Sequence, residues 1–248
     1  MPFVLLPASH PKTKASRKIS RCPLHDAPNQ ALKFFPGLAG VHRTALSGCR
    51  LAIRYAASPS VLMITPQCAL LVIDVQRGLD DPKYGRRSTP EAEANIARLL
   101  AAWREAQSPI IHIQHLSTSE FSPLRADSPG VEIKPEPAPL DSEPLFRKCV
   151  NNAFIGTGLE RFLRQREIHF LVIVGLTTDH CVSTTARMAG DLGFETFVVA
   201  DAAAAFELKG HDGRQFSAED VHAVSLVALK DESAKILPTA NVLSMFSA

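Results

Sequence analysis

The sequence predicts one three-layer α/β domain, an open, mostly parallel sheet with helices on both faces. Three observations carry this expectation. From Met63 onward, short apolar runs alternate with segments of helical periodicity. The runs are continuously apolar, as strands covered on both faces are. The helical segments between them are long enough to act as crossovers between parallel strands.

The elements follow in order. "CALLVID" (Cys68–Asp74) is an apolar run that ends in an acid and reads as a buried strand. "TPEAEANIARLLAAWREAQ" opens with Thr89 as N-cap and Pro90 at the first helical position, with acids in the first turn. Its stripe of Ile96, Leu99, Leu100 and Trp103 has helical spacing. "PIIHIQ" is a second strand, Thr157–Glu167 an amphipathic helix, and "HFLVIVG" a third strand. "CVSTTARMAGDLG" reads as a helix opened by Cys181 and closed by Gly193. "ETFVVA" is a strand, "SAEDVHAVSLVALKD" a helix capped by Ser217, and "AKILPT" a last short strand or terminus. The proline-rich stretch Pro123–Pro144 has no period and reads as a long loop, a feature that is usually functional or disordered.

Composition narrows the function classes. The chain has 248 residues, 46% of them hydrophobic and 21% charged, enough for one sizeable core. Its longest apolar runs fall short of the roughly 20 residues of a membrane span. The five cysteines show no spacing typical of a zinc site or disulfide framework, which points to free thiols in a reducing compartment. A net charge of +2 hides an asymmetry. Residues 1–62 hold nine Lys/Arg and one acid, whereas the rest hold 18 basic and 24 acidic residues, a net of −6. The first segment therefore reads as a leader, either a transit peptide or a mis-assigned start, and residues 63–248 as the domain. Its lack of aromatic interleaving argues against nucleic acid. The expected compartment is the cytoplasm, or the mitochondrion if the leader is a transit peptide.

Ligands of such sheets bind at the carboxyl ends of the strands. That places attention on Asp74, His115 and the turn Gly175–Cys181. No GxGxxG or GxxxxGK[ST] motif is present, so no nucleotide cofactor is expected. A carboxylate, a thiol and the ammonium of Lys148, if they converge, make a nucleophile activated by a neighbouring ion pair. Cys181 at a helix start and near a lysine is expected to have a lowered pKa. Cys68 and Cys149 read as small buried hydrophobes.

Three words of the chain, "ALLVIDVQRGLDDP", "FRKCVNNAFIGTGL" and "VGLTTDHCVSTTARMAGDLGFETFVVADA", closely resemble the successive signatures of the isochorismatase-like cysteine hydrolase superfamily. The resemblance spans roughly Pro66 to Leu243 and implies that family's Rossmann-like fold. It also implies a catalytic triad of Asp74, Lys148 and Cys181. A cis peptide at Leu176–Thr177 is implied too, as is an oxyanion hole formed by the N–H groups of Thr177 and Cys181. Asp74 then acts as general acid–base, and the reaction passes through an acyl-thioester on Cys181.

The nicotinamidase branch of that superfamily carries an Asp-x-His pair after the second strand. Here "IIHIQHLSTSEFSPL" puts His115 and Ser117 in those places, a poor metal site, so no catalytic metal is expected. His112 and His222 read as structural. Proximity nominates Gln76, Leu79, Tyr84, Arg86, His115 and Phe154 as substrate-binding, with Arg86 or Arg125 as a possible carboxylate clamp. Asp179 and His180 are expected to orient the nucleophile turn or form its lip.

"GLDDPKYGRR", "SPLRADSPG" and "KCVNNAFIGT" are similar to words of streptothricin-hydrolase-like amidases. The leading expectation is C–N hydrolysis of a small amide, lactam or carbamoyl compound. Vinyl-ether hydrolysis of isochorismate with release of pyruvate is the alternative, and an idle oligomeric binding protein a third. The resemblance implies a homo-oligomer, a dimer or tetramer, with a small-molecule substrate as the other partner.

Overall fold

The apolar run Cys68–Ile73 forms β1, and every residue in it is buried because it lies inside the sheet. A computed structural model describes residues 64–246. The basic segment 1–62, and with it the expectation of a leader, lies outside the described residues.

After β1 come α1 (Ala92–Glu105), β2 (Ile110–His115), β3 (Leu145–Lys148), α2 (Leu159–Gln165), β4 (Phe170–Leu176) and α3 (Ser183–Asp191). They are followed by β5 (Glu195–Ala204), a small hairpin of β6 (Leu208–Lys209) and β7 (Gln215–Phe216), α4 (Ala218–Val227), β8 (Lys235–Leu237) and α5 (Thr239–Ser244). The main sheet runs β3-β2-β1-β4-β5-β8, with every pairing parallel. The side-chain alternation of β1 explains the three layers. Cys68, Leu70 and Val72 pack with Ile96, Leu99, Leu100 and Trp103 of α1, and with Val242 of α5, on one face. Ala69, Leu71 and Ile73 pack with Leu159 and Leu163 of α2 and with Ala186 and Ala189 of α3 on the other. The three-layer α/β expectation is met.

The chain winds outward from β1 to β2 and β3, then returns to β4 on the other flank of β1. The winding therefore reverses between β1 and β4, where open α/β sheets place their ligand crevice. Gly175 makes the close approach there. It pairs with Ile73 at φ 120°, and a Cβ on it would lie 2.0 Å from the Ile73 carbonyl oxygen.

Local details depart from the sequence reading. The helix expected from Thr89 begins at Ala92 instead. Ser88 is held to Ala205 by two hydrogen bonds, its N–H donating to the Ala205 carbonyl and its hydroxyl accepting from the Ala205 N–H. Thr89 then has φ 46°, and Pro90 and Glu91 form a turn before the helix starts. The segment 181–193 is not one α-helix, because Thr178–Val182 is a π-helical turn that leads into α3. Edge strand β3, the β6–β7 hairpin and α5 are additions to the elements that the sequence predicts. Cys68 is buried as expected, but Cys149 is only half-buried. Ser217 caps α4 by accepting the N–H of Asp220, and the 123–144 stretch is indeed irregular apart from one 3-10 turn at Pro129–Val131. Among the described residues no helix is long and apolar enough to cross a membrane.

Gly175→Ala is expected to lower the free energy of unfolding by about 1–3 kcal/mol, the usual cost of overpacking a close contact. A urea titration reads this as a lower midpoint at unchanged slope. An unaltered midpoint would show that the β1–β4 junction has room to spare.

Candidate active site

Asp74, His115 and Lys148 end or directly follow β1, β2 and β3, and the turn that carries Cys181 follows β4. Parallel pairing in register brings these ends side by side. Lys148 is 1% exposed, an unusual depth for a lysine unless it is paired. Its Nζ donates to Asp74 Oδ2 at 2.5 Å and to Cys181 Sγ at 3.2 Å, and it lies 3.2 Å from His115 Nδ1. Asp74 is also 1% exposed and sits at φ 51°, so the chain turns sharply as β1 ends. Cys181 Sγ is 3.7 Å from Asn151 Oδ1, to which the thiol donates.

The surroundings hold this cluster in place. Gln76 makes a two-way clasp with the end of β2, accepting the His115 N–H at 2.8 Å and donating to the His115 carbonyl at 2.9 Å. The loop after β3 is stitched to α3, where the Ala153 N–H reaches Thr185 Oγ1 at 3.1 Å. Buried Thr178 meets His222 Nδ1 of α4 at 2.8 Å, bracing the Cys181 turn. The Leu176–Thr177 peptide is cis. The Thr177 N–H reaches no backbone carbonyl among the described residues.

The electrostatics overturn one expectation. The Cys181 thiol is pushed up, not down. Burial is the largest cause, and the Asp74 carboxylate adds to it against the opposing pull of Lys148. Cys181 also lies in the π-helical turn rather than opening the α-helix whose dipole was expected to lower it. The resting thiol is therefore neutral. His115 is held low by burial, with the Lys148 ammonium adding to the effect, so its ring is neutral at physiological pH.

Asp74, His115 and Cys181 bring one ligand atom each to within 4.8 Å of one another, as a metal site does. The cation at their centre is the Lys148 ammonium, within 3.2 Å of all three. A second cation there meets that charge directly, so the donor set fits an ammonium rather than a metal ion.

The cluster opens into a cavity of about 370 Å³. Leu79 and Tyr84 line it, with Leu124, Phe206 and Leu208 completing a mainly apolar wall in which Tyr84 stacks on Phe206 at 5.1 Å. Asn151, Thr177, Asp179, His180, Lys83 and Glu207 supply its polar groups. The remaining nominees lie elsewhere. Gln76 is spent on its clasp to β2, and His115 is turned to Lys148. Arg86 forms a bidentate pair with Glu219 of α4, and Arg125 pairs with Asp127. Phe154 stacks on Phe194 in the helical layer, 6.0 Å between centroids. Proximity in sequence missed Phe206, Glu207 and Leu208 because they arrive from the end of β5, and only the sheet order brings them to this cavity.

Lys148→Met leaves the Asp74 carboxylate buried without its ammonium and is expected to cost about 3–5 kcal/mol of stability. Adding Asp74→Asn removes the stranded charge and restores a large part of that loss, which denaturation of the single and double variants reads as coupling. Strictly additive losses would contradict a direct ion pair.

With this geometry in view, the comparisons with known proteins are consistent. Residues 68–230 match the isochorismatase domain family. The isochorismatase family protein YrdC of Bacillus subtilis is 44% identical over 178 residues, covering 72% of this chain and 95% of that protein. A crystal structure of an isochorismatase-family protein from Chromobacterium violaceum superposes with a TM-score of 0.73 at 40% identity, covering 77% of this chain and 99% of that one. More distant relatives include streptothricin hydrolase of Streptomyces noursei, 32% identical over 56% of this chain and 50% of its own length. Ureidoacrylate amidohydrolase RutB of Cronobacter sakazakii is 28% identical over 60% of this chain and 80% of its own length. The chain belongs to the isochorismatase family of hydrolases.

Proposed function

We propose that this hydrolase cleaves a C–N bond of a small, uncharged amide, lactam or carbamoyl compound through an acyl-thioester on Cys181, without a metal ion. The observation that carries this reading is the placement of one buried ammonium, Lys148 Nζ, between the Asp74 carboxylate and the Cys181 sulfur. The ammonium offsets the cost of burying the carboxylate and stabilises a sulfur anion when one forms.

The reaction then follows from the side chains present. Asp74 takes the thiol proton as Sγ attacks the substrate carbonyl carbon, so that no free thiolate needs to exist beforehand. The developing oxyanion is received by the N–H groups of Thr177 and Cys181 in the nucleophile turn. The C–N bond breaks, Asp74 returns its proton to the departing amine, and the acyl group remains on sulfur. Water then attacks the thioester and releases the acid. His115 and Gln76 act by positioning the strand ends rather than by contact with substrate.

The cavity lining favours this over isochorismate hydrolysis. Isochorismate carries two carboxylates, and such groups are best held by bidentate arginines. Among the described residues no arginine lines the cavity, and the Nζ of its one lysine, Lys83, is engaged with the Phe121 carbonyl at 2.8 Å. The apolar wall suits an uncharged body instead. That the relative RutB is an amidohydrolase supports C–N hydrolysis.

The test is a panel of small primary amides, lactams and carbamoyl compounds assayed for released ammonia or amine, beside isochorismate assayed for pyruvate. The expected outcome is turnover of at least one C–N substrate, no pyruvate, and loss of turnover in Cys181→Ala. Pyruvate release that survives Cys181→Ala would replace this reading with acid-catalysed vinyl-ether hydrolysis.

A further inference from the structure

His180, the residue before the nucleophile, faces the same cavity as Cys181 and is not used by the triad. Its Nδ1 lies 2.6 Å from Asp179 Oδ2. The Asp179 side chain is 12% exposed, and its other oxygen, Oδ1, is buried with no hydrogen-bond partner among the described residues. The negative charge of Asp179 is thus answered chiefly through one imidazole. A carboxylate on Nδ1 fixes the proton on that nitrogen and leaves Nε2 as the basic one. Nε2 has no hydrogen-bond partner among the described residues. The hydrogen bond to Asp179 also raises the basicity of the ring above the ordinary histidine value.

The two bases of the site differ in access to water. Asp74 is 1% exposed, its Oδ2 is held by Lys148 and its Oδ1 is buried. The His180 side chain is 56% exposed and meets the solvent that enters the cavity. The first half of the reaction needs a base beside sulfur, which Asp74 provides. The second half needs a base on the side from which water arrives.

We propose that the Asp179–His180 pair is a second acid–base unit that activates water for hydrolysis of the Cys181 thioester. His180 Nε2 takes one proton from the attacking water while its oxygen bonds to the acyl carbon. The tetrahedral intermediate collapses, the C–S bond breaks, and the electron pair stays on sulfur. The thiolate recovers a proton from the product carboxylic acid by way of Asp74, and the imidazolium releases its proton to solvent. Asp179 keeps the ring in the correct tautomer and orientation and is a positioning residue, whereas His180 acts on the reacting water itself.

This rests on the covalent reading above, and one experiment separates the two. The full chain is mixed with para-nitrophenyl acetate in stopped flow, where release of nitrophenolate reports acylation and the slower steady phase reports deacylation. Intact mass after acid quench identifies the acetyl group on Cys181. His180→Gln is expected to keep the burst, which also shows that it is folded, and to slow the steady phase by about 100-fold or more with accumulation of the acetyl-enzyme. Asp179→Asn slows the same phase and leaves the burst intact. A burst in the wild type with an unchanged steady phase in His180→Gln overturns the role of the pair while leaving the nucleophile standing. Loss of the burst itself in a folded His180→Gln, judged by its unfolding midpoint, overturns the role too, because it moves His180 into acylation. Absence of any burst or acetyl adduct in the wild type overturns the covalent reading, and this role with it.

Discussion

Everything at the carboxyl edge of this sheet is arranged around one buried ammonium. Lys148 reaches inward from an edge strand, and burying its charge is tolerable only because Asp74 stands 2.5 Å away. That pairing fixes which strand ends must lie together. The edge strand delivers the lysine, the first strand the acid, and the strand beyond it the thiol. A sheet that winds outward from β1 and returns on its other flank satisfies this with short reaches. The crevice at the reversal point is thus the place where the ion pair can form.

Several features that look unrelated follow from this constraint. The side-chain amide of Gln76 continues the pairing of β1 and β2 past the point where their backbones diverge, which steadies His115 beside the lysine. Gly175 lets β4 approach Ile73 closely just before the chain enters the Cys181 turn. His222, on α4, holds Thr178 and so the turn. The same ammonium occupies the centre of a donor set that otherwise has the dimensions of a metal site. The outcome is a site that keeps carboxylate, ammonium and neutral thiol within contact distance.

What was legible in the sequence divides along physical lines. The buried strands and the amphipathic α1 announce themselves because their burial is periodic or total, and local sequence records that. Strand β3 is only four residues long and mostly half-buried, so "LFRK" carries no such record. Asp74, Lys148 and Cys181 were legible because each lies at or just beyond the carboxyl end of a strand and stands within a recognisable word. The wall of the cavity was not, since Phe206 and Leu208 arrive through tertiary contact rather than chain proximity. Arg86 and Phe154 misled for the same reason: Glu219 and Phe194, which engage them, lie far along the chain. The thiol was misjudged because helix position and a nearby lysine are visible in sequence, while burial and the facing carboxylate are not.

Burial and the facing Asp74 carboxyl hold the Cys181 thiol neutral at rest. The most direct measurement is the ultraviolet absorbance of thiolate, taken as the difference between the native chain and Cys181→Ser across a pH titration. Burial and Asp74 predict no Cys181 thiolate at neutral pH, with its absorbance rising only above the ordinary cysteine value of about 8.5. A thiolate already formed near neutrality would contradict the account, and would mean that the Lys148 ammonium serves the sulfur before it serves the carboxylate.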